Sequence, residues 1–173
     1  NEAASGAEVT FDWMPAAIQD TESRFGDVAF YSTDNTYAYF GLQFDKNFRI
    51  HYYTMGENVE QGYGLSYSDE VLEGGYQRNS SVDSGTARDT GITADGSTWY
   101  TVKIDFNYDS HTASLTLTER ENPEMILFQE SDIPIYASAV NVSMISAGAW
   151  KAESSMGLDN MGIRYRYSDA STI

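Results

Sequence analysis

The sequence contains no cysteine. Disulfides, thiol nucleophiles and cysteine-based metal sites are therefore excluded. No apolar run approaches the roughly 20 residues that a membrane-spanning helix requires. There are only two histidines, His51 and His111, and no nucleophile-elbow sequence that would support a Ser-His-Asp triad. The stability of the fold must therefore come from a large apolar core.

Basic residues are scarce: 10 lysines and arginines stand against 26 acidic residues, which gives a formal net charge of −16. Such a chain repels the phosphates of nucleic acids and anionic membrane surfaces, so neither is an expected partner. Polyanionic glycans are disfavoured for the same reason. Neutral partners, or a bound Ca²⁺ ion, fit this charge better.

The composition indicates one globular domain, because 173 residues with 41% hydrophobic and 14% aromatic content can bury a sizeable core. We expect this domain to span residues 8–168, after a linker or cleavage remnant at 1–7 and before a tail at 169–173. The first residues, NEAASGAE, lack the pattern of a signal peptide. The sequence is interpreted as a monomeric module cut from a larger, secreted bacterial protein.

The strongest pattern in the chain runs from Trp99 to Thr118. Apolar and polar residues alternate on both of its arms, and the period of two is typical of half-buried antiparallel strands. Between the arms, residues 107–111 form a polar run that suits a hairpin turn. The apolar positions predicted to face the core are Val102, Ile104, Phe106, Ala113, Leu115 and Leu117.

A second hairpin is predicted from Tyr37–Asp45 and Phe48–Thr54. Its polar face is expected to carry the tyrosines Tyr37, Tyr39 and Tyr53, together with Arg49 and His51. Outside the hairpins, we predict that the first strand stops at Pro15, because proline cannot donate to a sheet ladder. Two further strands are predicted at Val140–Ala147 and Met161–Tyr167.

Together these segments predict about 10–13 short strands and very little helix, hence an all-β antiparallel sandwich or jelly roll. The layout of VTFDW, WYTVKIDFNYDSHTASLTLT and GLDNMGIRYRY along the chain is similar to the concanavalin A-like (laminin G-like) jelly-roll superfamily. In particular, it resembles the non-catalytic carbohydrate-binding modules of secreted bacterial polysaccharide-degrading enzymes. The resemblance implies a β-sandwich fold and a role in binding polysaccharide.

Saccharide sites combine aromatic platforms, which stack on the apolar faces of sugar rings, with hydrogen-bonding side chains. The chain has 13 tyrosines and 3 tryptophans, and several of them fall on predicted polar faces or in a glycine-rich stretch. The alternative is that each tyrosine is simply a good strand former. The predicted ligand-binding residues are Arg49, His51, Tyr53, Tyr63, Tyr67 and Trp150.

A structural Ca²⁺ site is predicted from Asp12, Asp159 and Asn160, with Glu8 as a further candidate. The resemblance suggests that the first and last strands are neighbours, and calcium prefers hard oxygen ligands such as these. The alternative is that Asp159 and Asn160 only shape a turn before the last strand.

Catalysis is not predicted, because glycan-cutting enzymes of this superfamily carry acidic residues as Glu-x-Asp-x-Glu on one strand, and this chain lacks that triplet. The predicted function is a non-catalytic module that holds an enzyme on a neutral plant polysaccharide and so raises its effective concentration there. Two alternatives stay open. One is a lyase or hydrolase with an atypical site at Arg49, His51 and Tyr53, and the other is a structural or adhesin-type spacer.

Overall fold

A computed structural model describes residues 3–17, 26–33, 38–44, 47–54, 67–71, 77–79, 88–149 and 155–168. Over these stretches there is no helix, and therefore no helix with the length and apolarity needed to cross a membrane. The described residues form twelve strands. They are β1 (Ala4–Ala17), β2 (Gly26–Tyr31), β3 (Phe40–Phe44), β4 (Arg49–Thr54), β5 (Tyr67–Val71), β6 (Gln77–Asn79), β7 (Arg88–Thr93), β8 (Tyr100–Asn107), β9 (Thr112–Glu119), β10 (Asn122–Pro134), β11 (Met144–Ala149) and β12 (Ser155–Tyr167).

The strands form two antiparallel five-stranded sheets and a separate pair made of β5 and β6. Sheet A has the order β10-β9-β8-β1-β12, and sheet B has the order β11-β2-β3-β4-β7. The two sheets pack face to face over one apolar core. The predicted all-β antiparallel sandwich of about 10–13 strands is confirmed, and its architecture is consistent with a jelly roll.

The β8–β9 hairpin supplies the centre of sheet A, as the alternation predicts. Cross-strand pairs join Val102 to Leu117 and Ile104 to Leu115, and all four side chains are fully buried. The turn follows the Asx pattern, because the Asn107 side-chain oxygen accepts hydrogen bonds from the backbone N–H groups of Asp109 and Ser110. Trp99 lies at the start of this hairpin, where the Arg120 guanidinium stacks 4.6 Å from its ring centroid.

Aromatic rings fill the space between the sheets. Phe106 of sheet A meets Phe30 and Phe40 of sheet B edge-on, with ring centroids 5.8 and 5.7 Å apart. This edge-to-face arrangement is favoured by the ring quadrupoles and adds to the energy of burial. The core therefore joins the two hairpins that the sequence predicts most clearly.

Strand β1 lies between β8 and β12 and is longer than predicted. It begins at Ala4, inside the stretch expected to be a linker, and the prediction that Pro15 ends it is wrong. Pairing between β1 and β8 stops at Trp13 and Tyr100, so Pro15 has β12 as its one strand neighbour. A proline is tolerated there because its missing N–H is not needed by a second ladder.

Strand β12 also starts earlier than predicted, so Asp159 and Asn160 lie within it and not in a preceding turn. The register of β12 on β1 shifts at this point, between the partners of Thr10 and Asp12. Asn160 has a φ of 53°, a left-handed conformation that asparagine tolerates better than most residues. The alternative that Asp159 and Asn160 shape a turn before the last strand is therefore wrong, because the two residues form a bulge within the strand.

Candidate functional site

Sheet B turns one face toward the core and the other away from it. On β3, Leu42 and Phe44 enter the core, so Gly41 and Gln43 lie on the opposite side. The same alternation applies to β2 and β4, where Val28 and Ile50 are core residues. The outward positions on β2 and β4 are Asp27, Ala29, Tyr31, Arg49, His51 and Tyr53.

Strand register aligns four hydrogen-bonding side chains across this outer face. Asp27 pairs with Gln43, Gln43 pairs with His51, and His51 pairs with Asp89 of β7. Directly paired residues of antiparallel strands lie side by side on one face, about 5 Å apart. We call Asp27, Gln43, His51 and Asp89 the polar row.

The centre of the polar row is buried although it lies outside the core. Gln43 is only 2% exposed, and its Oε1 atom receives no hydrogen bond from the described residues. Exposure rises toward β7, where the Asp89 side chain is 46% accessible. Burying an amide oxygen without a partner costs free energy.

At the exposed end of the row, Asp89 anchors Arg49. The Arg49 Nε atom donates to both carboxylate oxygens of Asp89, at 2.8 and 2.9 Å, and its Nη1 atom donates to the Thr93 hydroxyl at 3.0 Å. Partial burial raises the pKa of Asp89. The hydrogen bond from the Gly91 N–H and the bonds and charge of Arg49 outweigh this effect, so that the pKa lies below its ordinary value of 3.8. The carboxylate is therefore ionised at neutral pH.

Beside the polar row lies an apolar group made of Ala29, Tyr31, Ala38 and Tyr53, with Met144 against it. We call it the aromatic corner. The Tyr53 ring lies so close over Gly41 that a Cβ atom on that glycine would overlap it. Tyr53 is 5% exposed and Tyr31 is 8% exposed. The expectation that Tyr53 presents an open platform is therefore wrong, because the ring packs down against the small residues of the sheet.

Of the predicted ligand-binding residues, Arg49, His51 and Tyr53 lie together on the outer face of sheet B. Tyr67 belongs to β5, while Tyr63 and Trp150 lie outside the described residues. Of the other tyrosines expected on this polar face, Tyr37 lies outside the described residues and Tyr39 is fully buried in the core. Tyr39 precedes β3, so the strand alternation does not apply to it.

Sequence reasoning missed Asp27, Gln43 and Asp89 as site residues. Gln43 had a usable signal, because it alternates with the core residues Leu42 and Phe44 on the face that carries His51. Asp27 had a similar signal, because it precedes the core residue Val28 on a strand that is consecutive with β3. Asp89 had none, since its place in the row depends on the pairing of β4 with the non-consecutive β7.

The predicted calcium residues are also brought together, on the outer face of sheet A. Asp12 pairs with Asp159 across β1 and β12, and the Asn160 side-chain N–H donates to Asp12 Oδ2 at 2.7 Å. The Thr101 hydroxyl donates to Asp12 Oδ1 at 2.8 Å. The guanidinium of Arg120 stands 4.0 Å from a carboxylate oxygen of both Asp12 and Asp159.

The chain itself therefore supplies hydrogen-bond donors to Asp12 and a positive charge, that of Arg120, to both Asp12 and Asp159. Asn160 turns its N–H group, not its oxygen, toward Asp12. Within the described stretches, no three His, Cys, Asp or Glu side chains converge as metal ligands. The structural Ca²⁺ ion stays a prediction. The positive charge beside the two carboxylates is that of the Arg120 guanidinium.

The described carboxylates of the polar row do not have the spacing of a glycosidase pair. Asp27 and Asp89 lie on β2 and β7, three strand spacings apart, which amounts to about 14 Å. Glycoside hydrolases place their two carboxyl groups roughly 5–9.5 Å apart. These two residues therefore suit ligand binding better than joint acid–base catalysis.

No known protein family matches the sequence, and no curated protein matches it. Among solved structures, the chain is similar to the crystal structure of the catalytic domain of the glycoside hydrolase family 131 protein from Coprinopsis cinerea. The identity is 10% and the TM-score 0.48, and the match covers 100% of this chain and 63% of that one. The chain thus spans about two thirds of the length of that neighbour.

The prediction that the chain is not an enzyme meets a neighbour that is a catalytic domain, so the prediction is not carried further. At this identity and TM-score, the likeness assigns no activity to the chain. The predicted superfamily is supported only at the level of an antiparallel sandwich. The domain bounds, the monomeric state and the secreted bacterial location stay predictions.

Proposed function

We propose that this chain is a saccharide-binding β-sandwich domain and that the outer face of sheet B is its binding site. The polar row is the observation that carries the proposal. It sets carboxylate, amide and imidazole groups in a line across four neighbouring strands. Sugar hydroxyls require such convergent hydrogen-bonding groups.

The aromatic corner supports the same proposal. It packs Tyr31 and Tyr53, both less than a tenth exposed, beside the polar row and so fixes the strands that carry the hydrogen-bonding groups. The row extends over about 14 Å, a length along which an oligosaccharide can lie.

The preferred ligand of this site is a neutral glycan. The net charge of −16 disfavours a polyuronate, and the row itself contributes two carboxylates. Arg49, the cation on this face, is held by Asp89 through two hydrogen bonds.

Isothermal titration against soluble neutral glycans (xylan, mixed-linkage β-glucan and galactomannan), with polygalacturonate as the charged comparison, tests the proposal. We expect binding to at least one neutral glycan and a loss of about tenfold or more in His51→Ala, because a hydrogen bond made in a desolvated site is removed. Ser114→Ala, on the outer face of sheet A, is the matched control and should bind like the unaltered chain. Absence of binding to every glycan, or equal affinity in both variants, would contradict the proposal.

A second candidate is turnover at the same face. Arg49, His51 and Tyr53 lie together there, and His51 is the direct cross-strand neighbour of Asp89. Release of shortened or unsaturated products from any of these polymers, abolished in His51→Ala but not in Ser114→Ala, would establish it. Binding without product release would rule this candidate out for those polymers.

A further inference from the structure

We propose that the outer edge of β12 is an interface through which two copies of this chain pair, antiparallel and around a two-fold axis. β12 is an outer strand of sheet A, and within the described part of the chain it pairs with β1 alone. The backbone N–H and C=O groups of its alternate residues point away from β1 and can pair with a further strand. The proposal replaces the monomeric module that the sequence predicts.

The opposite edge of sheet A, β10, is protected against such pairing. Its register on β9 shifts at three places, and it carries Pro123 near one end and Pro134 at the other. Glu130 points toward the inner face, since its cross-strand partner Leu115 is a core residue, and it accepts a hydrogen bond from the Tyr52 hydroxyl. Bulges, prolines and inward-pointing charges prevent strands from pairing edge to edge.

The second half of β12 has none of these protective features. Residues 162–166 pair with β1 without a register shift, and the segment 161–167 contains neither a proline nor an acidic residue. The side chains of Met161, Ile163 and Tyr167 are exposed. An unprotected strand edge that exposes apolar side chains is typical of an edge that pairs with another chain.

The distribution of charge favours contact between two copies on this side of the sandwich. A chain with a net charge of −16 repels its own copies over most of its surface. On one side of the sandwich, β10 contacts β7 and carries three acidic residues and no basic one. On the other side, β12 contacts β11, which has no charged residue, and the last seven residues of β12 include two arginines. Two copies can therefore approach through the β11–β12 side without repulsion between acidic residues.

The segment 161–167 is complementary to itself when two copies run antiparallel with Ile163 at the axis. Met161 then lies opposite Tyr165 of the second copy, and Gly162 lies opposite Arg164. No two arginines are directly opposed, and the glycine leaves room for the longer side chain. A second copy of the chain is therefore a suitable partner for this edge.

The β11–β12 side is also large enough for a stable dimer. The 13 residues of β12 extend over about 40 Å, and two packed sheets present a side about 20 Å high. This side therefore offers up to roughly 800 Å² per copy, which is the usual size of a specific interface.

The dimer has a consequence that rests on the proposed function. Directly opposed residues lie on the same face, so the two-fold axis is perpendicular to sheet A. The outer faces of both B sheets then point to the same side. A polymer that contacts both faces is bound with higher avidity than an oligosaccharide that contacts one.

Sedimentation velocity of the unaltered chain over a concentration series tests the interface. We expect a dimer at about 100 μM that dissociates on dilution. Ile163→Lys sets two like charges directly opposite each other at the axis, so the dissociation constant should rise about tenfold or more. Ile126→Lys on β10 is the matched control, because Ile126 is 55% exposed, Ile163 is 41% exposed, and both lie on outer strands of sheet A. The control should leave the dissociation constant unchanged.

Cysteine variants test the register independently of the lysine variants. The chain has no cysteine, so Ile163→Cys introduces a single thiol. Directly paired residues of antiparallel strands have Cα atoms about 4.5–5.5 Å apart, a distance that a disulfide can span. With a mild oxidant, Ile163→Cys should give a covalent dimer on a non-reducing gel, and Ile126→Cys should stay a single chain.

An unaltered chain that stays monomeric at about 100 μM would overturn the proposal. Equal dissociation constants for Ile163→Lys and the unaltered chain, or equal cross-linking of the two cysteine variants, would also overturn it. None of these measurements uses a glycan. A failure of the dimer is therefore distinguishable from a failure of the proposed saccharide binding.

Discussion

The outer faces of the two sheets differ in how far their polar side chains are exposed to solvent. On sheet A, the Lys103 ammonium lies 3.4 Å from Glu8, and the Arg166 guanidinium pairs with Asp105, among side chains that are about a third to a half accessible. On sheet B, Gln43 is 2% exposed and lies between an aromatic corner and the half-buried His51. A solvated face of ion pairs needs no function beyond solubility, whereas a recessed polar row does. The difference is the reason for placing the ligand on sheet B.

Asp12 is an exception to the difference between the two faces. It is a buried carboxylate on the outer face of sheet A, where the other charged side chains are solvated. Asp12→Ala removes the acceptor for Thr101 and Asn160 and leaves Arg120 short of one counter-charge. We expect a loss of about 2–3 kcal/mol in the free energy of unfolding, since hydrogen bonds to a charged group are lost. Urea denaturation measures this loss.

Glu8→Ala is the control for Asp12, because Glu8 lies on the same strand and face and has an exposed ion pair with Lys103. Its loss should stay below about 1 kcal/mol. Equal losses in the two variants would show that the cluster around Asp12 does not hold β1 and β12 together.

Gly41 tests how tightly the outer face of sheet B is packed. Gly41→Val introduces a side chain where the Tyr53 ring lies, so we expect a loss of about 1–3 kcal/mol from overpacking. Gly148→Val on β11 is the control. Gly148 pairs with Asp27 on the same face, and nothing lies within 4 Å of a Cβ added there.

The Gly148 variant should therefore change stability by less than about 0.5 kcal/mol. Thermal unfolding of the two variants compares them directly. If Gly41→Val is as harmless as Gly148→Val, the Tyr53 ring is free to move, and the aromatic corner is not a fixed part of the site.

The smallest expected effect on stability is that of replacing Asp89, and it depends on pH. Its folded-state pKa lies below the ordinary value of 3.8, so near that pH the unfolded chain binds more protons than the folded one. The stability that Asp89 contributes is therefore present above about pH 4 and lost as the pH falls below it. Asp89→Asn should cost less than about 1 kcal/mol at neutral pH, because the pair with Arg49 is partly exposed.

The stability gap between the unaltered chain and Asp89→Asn should close as the pH falls from about 7 to about 3. Denaturation curves at several pH values provide the measurement. A gap that widens in acid would contradict the direction of the pKa shift.

The sequence predicts the fold well where apolar alternation is strong. Val102, Ile104 and Phe106 on β8, and Leu42 and Phe44 on β3, are buried as their period of two requires. The prediction fails where the conformation of a residue depends on the strand that lies beside it. Pro15 continues a strand because β8 has already ended beside it, and Asn160 forms a bulge inside β12, ahead of the predicted strand start at Met161.

The candidate site is less predictable from sequence than the fold. Arg49, His51 and Tyr53 could be placed on one face because they alternate along a single strand. Asp89 joins them only through the pairing of β4 with β7, which sets non-consecutive strands side by side. The burial of Tyr53 depends in turn on Gly41 of the neighbouring strand leaving room for its ring.

The most direct test of the account is a map of where a neutral oligosaccharide binds, obtained from the amide NMR shifts of the ¹⁵N-labelled chain during a titration. We predict that the largest changes fall on the outer face of sheet B, at Ala29, Gly41 and His51. The amides of Lys103, Ser114 and Thr116 on sheet A should stay unchanged. Changes concentrated on sheet A, or no changes with any neutral oligosaccharide at saturating concentration, would contradict the central claim.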